Sequence, residues 1–163
     1  MAITLSAAPR RAAGFTLLEL LMVVTLIGIS SGLVALALRS STQNQLEKEA
    51  VRLITLLEVG RAQSRIQGFE ARWKPIPASE NSAARFEFLG LSKGTAPMSP
   101  HGEWPTQWLH SGMKAFVWGA AELSLGPEPF IGPQTLILEL NEQKLTLVTD
   151  GFSSFHVLNE ESF

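Results

Sequence analysis

From Phe15 to Leu38 the chain runs for twenty-four residues with a single charge, Glu19, and the nineteen residues from Leu20 onward carry none. A helix rising about 1.5 Å per residue over that length crosses a hydrocarbon core of roughly 30 Å. No proline occurs between Pro9 and Pro75, so nothing forces such a helix to break. Arg10 and Arg11 precede the run and no acid does. The bias of basic residues toward the cytoplasmic side keeps Met1 inside and sends the C-terminal portion outward, into the periplasm of a bacterium. An ordinary secretory signal with Ala35-Leu36-Ala37 as its cleavage site is the simpler alternative, but such signals have an apolar core of about 7–15 residues. A plain membrane anchor fits the length and leaves Glu19 unexplained, because an unpaired carboxylate in the bilayer costs about 2.5 kcal/mol or more.

A cut between Gly14 and Phe15 supplies the missing partner. It removes the basic leader and leaves Phe15 with a free amine four residues ahead of Glu19, on one helical face. The acid then has a cation within reach on its own chain or on an adjacent one. Pairing across subunits sets register, since a wrong axial offset strands a charge in a dry environment.

The run Gly14-Phe15-Thr16-Leu17-Leu18-Glu19, preceded by Arg10 and Arg11, resembles the class III signal of type IV pilins and type II secretion pseudopilins. That resemblance implies a leader, residues 1–14, removed by a prepilin peptidase that cuts between Gly14 and Phe15. It further implies N-methylation at Phe15 and alignment of subunits by Glu19. Residues 15–38 would then be the transmembrane and assembly helix, and residues 39–163 a periplasmic domain, helical to about residue 67 and β-rich thereafter. The implied partners are other pseudopilins, major and minor, met through the N-terminal helix, together with the prepilin peptidase, an inner-membrane assembly platform and inner-membrane lipid. The resemblance covers about the first quarter of the chain.

Beyond Leu38 the pattern becomes one-sided. Leu46, Ala50, Leu53 and Leu57 recur at helical spacing, with Glu47, Lys48, Glu49, Arg52 and Glu58 elsewhere around the cylinder. One helix from about Phe15 to Gln67, stopped by Gly68, is expected, its outer half packing on a sheet. Gly28 and Gly32 are spaced for close helix approach. Strands are expected at Phe69–Ile76, Arg85–Leu91, Lys114–Trp118, Glu122–Leu125 and Phe155–Leu158. The clearest hairpin joins Thr135–Leu140 to Lys144–Thr149 through Asn141, Glu142 and Gln143. Residues 94–112, rich in Pro, Gly, Ser, His and Trp, read as a long surface loop. A long helix followed by short antiparallel strands is an α+β layout, in agreement with the pilin-like fold that the resemblance implies.

Chemistry is harder to find. With no cysteine, a thiolate metal site, a disulfide and a Cys nucleophile are all excluded. His101, Glu103 and His110 fall in the loop without a helix to hold a metal-ligand spacing, and solvated loop positions are the expectation. Asp150 is the only aspartate, which argues against a calcium site of the kind the resemblance associates with some major pseudopilins. No nucleophile elbow, dinucleotide fingerprint or phosphate loop occurs. Glu139 and Glu142 flank the hairpin turn as solvated positions. The expectation is therefore no catalytic residue, no metal, no cofactor and no enzyme activity. Trp104, Trp108 and Trp118 bracket the loop and are either core or a contact surface.

The residues from Arg39 to Phe163 carry 11 basic and 14 acidic side chains, hence −3, which argues against nucleic acid as a partner. The runs Leu125-Gly126-Pro127-Glu128-Pro129-Phe130-Ile131, Leu136–Leu140 and Leu147–Phe152 are similar to the closing strands of the H-type (GspH) minor pseudopilins, grouped with the FimT-like minor pilins. That similarity implies a subunit near the tip of a type II secretion pseudopilus, driven by a cytoplasmic ATPase. A FimT-like pilus subunit acting in pilus assembly or DNA uptake is the alternative, and it would call for a basic tail where this sequence has Asn159-Glu160-Glu161-Ser162-Phe163.

Overall fold

The computed structural model describes residues 16–92, 96 and 102–158, without the side chains of residues 32–40. The chain divides into two compact units, Met1–Arg39 and Ser40–Phe163. A single helix, α1, spans Leu17–Gln67 and contributes to both. In the first unit its side chains from Leu17 to Ile29 are exposed all around the cylinder, with no buried stripe.

The second unit is a helix packed against antiparallel sheets, an α+β architecture. Leu46, Ala50, Leu53 and Leu57 are completely or almost completely buried, joined by Leu56 one position along. Spacings of three and four place all of them on one stripe. Gly68 ends the helix in the left-handed conformation (φ 69°), with its N–H donating to Ser64 O at 2.8 Å. That bond satisfies one of the carbonyls a helix end leaves open.

Seven strands follow: β1 (Ala71–Ile76), β2 (Arg85–Leu89), β3 (Lys114–Val117), β4 (Leu123–Gly126), β5 (Gln134–Leu140), β6 (Gln143–Thr149) and β7 (His156–Val157). They form two sheets, of order β2-β1-β4 and β3-β5-β6-β7, with every pairing antiparallel. Alternation sends Leu136, Leu138 and Leu140 of β5 and Leu145 and Leu147 of β6 inward, as a sheet with one covered face requires. They meet the helix stripe, Trp73 and Phe86 in one core.

Three sequence expectations need correction. The β5–β6 turn has two residues, Asn141 (φ 46°) and Glu142 (φ 69°), and Gln143 already pairs with Leu140. Two left-handed residues match the twist of the flanking strands better than a three-residue link. The 94–112 segment is more than a surface loop where it is described: Phe86 N–H donates to Thr106 O at 2.9 Å, and Trp108 packs on Phe86 with ring centroids 4.7 Å apart. Glu49, expected on the solvent side of the helix, is fully buried.

Two glycines separate conformational cost from steric cost. Gly68 has open space where a Cβ would stand, whereas at Gly151 (φ 93°) a Cβ would lie 2.6 Å from Gly132 N and O. Gly68→Ala should cost about 1–2 kcal/mol, the left-handed penalty alone. Gly151→Ala should cost about 3 kcal/mol or more, because overpacking against backbone adds to it. Thermal unfolding of the two variants checks the order.

Candidate assembly site

The helix begins with a cap. Thr16 Oγ1 accepts from Glu19 N–H at 3.2 Å, and Thr16 O accepts from Leu20 N–H at 3.1 Å. Thr16 is thus the N-cap and Glu19 the third helical residue, where a carboxylate also faces the positive end of the helix dipole. Thr16-Leu17-Leu18-Glu19 has the spacing of a capping box, a signal legible in the sequence. Glu19 is exposed among exposed apolar neighbours. Gly14 and Phe15, the two processing residues, lie outside the described residues.

Further along, Thr25 Oγ1 donates to Leu21 O at 2.7 Å and Ser31 Oγ to Ile27 O at 2.8 Å. Both hydroxyls are satisfied within the helix, so this apolar surface can enter a dry environment without leaving these donors unpaired. Gly28 has open space around its Cβ position; the side of Gly32 lies outside the description. Among the described residues no helix is long and apolar enough to cross a membrane.

In the second unit, charges set along α1 hold the 94–112 segment and the approach to β7. Arg61, 2% exposed, donates to Gly151 O at 3.1 Å and Ser153 O at 3.0 Å. Glu58 accepts from Phe155 N–H at 3.1 Å and lies 3.4 Å from Arg61 Nη1. Glu49 Oε1 accepts from Arg52 Nη1 at 2.7 Å, and its Oε2 from Leu109 N–H at 2.9 Å. His110 Nδ1 stands 3.7 Å from the same Oε2. Neither Arg61 nor the burial of Glu49 was visible beforehand, because a charge on the apolar side of a helix is indistinguishable in one sequence from a solvated one.

The remaining candidates separate cleanly. His101 lies outside the described residues, Glu103 is exposed, and no group of three metal-ligating side chains occurs among the described residues. Glu139 meets Lys114 at 3.1 Å and Lys144 at 3.8 Å as a surface network. Trp104 packs on Phe88 with centroids 4.6 Å apart, and Trp108 on both Phe86 and Trp73. Only Trp118, 75% exposed, is free to contact something else. Asp150 Oδ1 accepts from Phe152 and Ser153 N–H at 2.9 and 2.7 Å, closing the turn that precedes Phe155. The Ser153 amide, then the Phe152 amide, holds its carboxyl below the usual range.

These features define a class: an α+β chain whose capped N-terminal helix begins with an exposed acid in an apolar stretch and ends packed on two antiparallel sheets. A known family signature, the prokaryotic N-terminal methylation motif, matches residues 9–37. That match supports a pilin-like protein with a prepilin-type N-terminus, a segment characteristic of membrane-anchored subunits. Comparison with curated proteins and with solved structures finds no match to the chain.

Trp108→Ala should lower stability by about 3 kcal/mol through the cavity it opens, whereas Trp118→Ala should stay within about 0.5 kcal/mol. Melting curves of the two distinguish core from surface. For Asp150 the folded value is depressed, so its contribution is present above the ordinary aspartate range and is lost as pH falls through the folded value. Protection of the Phe152 and Ser153 amides, taken relative to the intrinsic exchange rate at each pH, should therefore fall only in acid, and Asp150→Asn, which keeps the accepting Oδ1, should abolish that fall.

Proposed function

We propose that this chain is a minor pseudopilin of the H type, a structural subunit placed near the tip of a type II secretion pseudopilus that helps export folded proteins across the outer membrane. The observation that carries the proposal is the coincidence of the methylation motif over residues 9–37 with a helix whose first turn holds Glu19. Cleavage after Gly14 creates an amine at Phe15 that no leader covers. Glu19 of the same or an adjacent subunit neutralises it, and the apolar surface from Leu17 to Ile29 packs among like helices or lipid. The subunit is held in the inner membrane with its N-terminus cytoplasmic and its folded part periplasmic until it enters the filament. Its role is mechanical and not catalytic: the ATPase and assembly platform supply the work, and the major and other minor pseudopilins are its neighbours.

Mass spectrometry of the protein recovered from native envelopes should find a chain starting at Phe15 and methylated there. Glu19→Ala should leave that processing intact and reduce incorporation into filaments by about tenfold or more, the equivalent of one unpaired charge in a dry interface. Incorporation at the normal level would remove the register argument. The FimT-like reading instead requires the full-length protein to bind DNA with an affinity that falls steeply with salt; a flat or absent titration favours the pseudopilin.

A further inference from the structure

Two loops of the second unit present a pair of stacked aromatic rings. Phe130 lies between β4 and β5 and Phe152 between β6 and β7, with ring centroids 4.5 Å apart and planes inclined by 27°. Each ring covers part of the other, yet they remain 48% and 70% exposed. A single open phenylalanine is ordinary, but two in contact form a patch. The backbone beneath them is held tightly. Arg61 donates to Gly151 O and Ser153 O, Thr149 Oγ1 donates to Ser153 O at 2.7 Å, and Asp150 Oδ1 accepts the amides of Phe152 and Ser153. The other loop is stiffened by Pro127, Pro129 and Pro133, and its Ile131 N–H donates to Gly151 O at 3.4 Å. Rings fixed in this way lose little conformational freedom when a ligand arrives.

We propose that this pair is a recognition site for arginine side chains on an extended segment of a partner protein. A guanidinium lies flat on the open face of the Phe152 ring, within about 6 Å of its centroid, and Glu128 and Asp150 supply the counter-charge. Both acids are exposed, and each stands two residues before one of the rings. That places their Cα atoms within about 7 Å of the ring-bearing ones, inside the Debye length of about 8 Å at physiological salt. Among the described residues neither carboxylate forms an ion pair, with Arg65 on the last turn of α1 or with any other cation. Arg61 is occupied by Gly151 O, Ser153 O and Glu58. No lysine or arginine occurs between Lys114 and Lys144 or after Lys144, so the two loops carry negative charge and no positive charge of their own. The amides bonded to Asp150 hold its carboxyl below the usual range, which keeps it ionised at neutral pH. A wholly apolar occupant would dry the surroundings of both acids without offering a counter-charge, and a nucleic acid would add phosphates beside them. Arginine suits the site better than lysine because its planar, weakly hydrated group stacks on an aromatic face.

The test uses the full chain in phosphatidylcholine nanodiscs and a fluorescent heptapeptide of glycine and serine with arginine at every second position. The matched peptide carrying citrulline, which keeps the length and planarity of arginine without its charge, is the control. The arginine peptide should bind at least tenfold more tightly than the citrulline one. Phe152→Ala and Glu128→Gln should each weaken that binding at least threefold and leave the melting temperature unchanged, because both side chains are exposed. Arginine methylene protons of the bound peptide should shift upfield, as protons above an aromatic ring do, a readout that needs no variant. Equal binding of the two peptides, an affinity unchanged in either variant, or the absence of an upfield shift at saturating protein overturns the proposal. So does self-association of the peptide-free protein that Phe152→Ala dissolves, because a second copy then covers the rings.

Discussion

The folded unit depends on covering one face of one helix. Leu46, Leu53 and Leu57 are buried against strands from both sheets, and full burial of three leucines contributes on the order of 5–9 kcal/mol. That is comparable to the entire net stability of an ordinary domain. Neither sheet covers the stripe by itself: Trp73 and Phe86 come from one, and Leu136, Leu138 and Leu147 from the other. The two sheets are consequently joined through a helix that belongs to neither, and β1 of one also approaches β3 of the other directly.

Burial of apolar surface fixes where the sheets go, but it is non-directional and says little about loops. Direction comes from the charged groups set into the same helix. Arg61 reaches the carbonyls of Gly151 and Ser153 while Glu58 takes the amide of Phe155, so the segment leading into β7 is read at three backbone positions. Glu49 does the same for Leu109, with Arg52 holding both the carboxylate and Gln107 O. Buried charges of this kind are expensive unless their bonds are made. They therefore penalise any alternative path of those loops, which apolar packing would tolerate.

The sequence shows the helix and the sheets because both rest on periodicity. Leu46-Ala50-Leu53-Leu57 repeats at the helical period, and the leucines of β5 and β6 alternate at the strand period, so boundaries fall within one or two residues of expectation. What periodicity does not encode is partnership. Glu47 and Glu49 look alike in the sequence, yet the first is exposed and the second fully buried, and one of the groups that satisfy Glu49, the Leu109 N–H, lies sixty positions away. Trp104 and Trp108 are ambiguous for the same reason: their partners are on β1 and β2, not nearby in the chain. Of the site, Glu19 was legible because it stands alone in an apolar run. The cap at Thr16 is equally legible, from its spacing to Glu19.

The acids of α1 pose one physical problem with different answers. Glu49 and Glu58 are satisfied inside the subunit, by an arginine one turn away and by backbone amides of distant loops. Glu19 is satisfied in neither way. Its own N–H donates to Thr16 Oγ1, and among the described residues its carboxylate meets no cation. In water an exposed carboxylate asks for nothing more. Surrounded by the apolar side chains of Leu17, Leu20 and Val23 in a bilayer or a helical bundle, it would need a counter-charge, and its own subunit has no lysine or arginine between Phe15 and Leu38. In the proposed assembly the nitrogen exposed by cleavage is that counter-charge, which makes processing and polymerisation consecutive consequences of one unpaired group. The length of the apolar run alone would make an anchor. In the proposed assembly, the position of a single acid within it would make that anchor incomplete until the leader is cut.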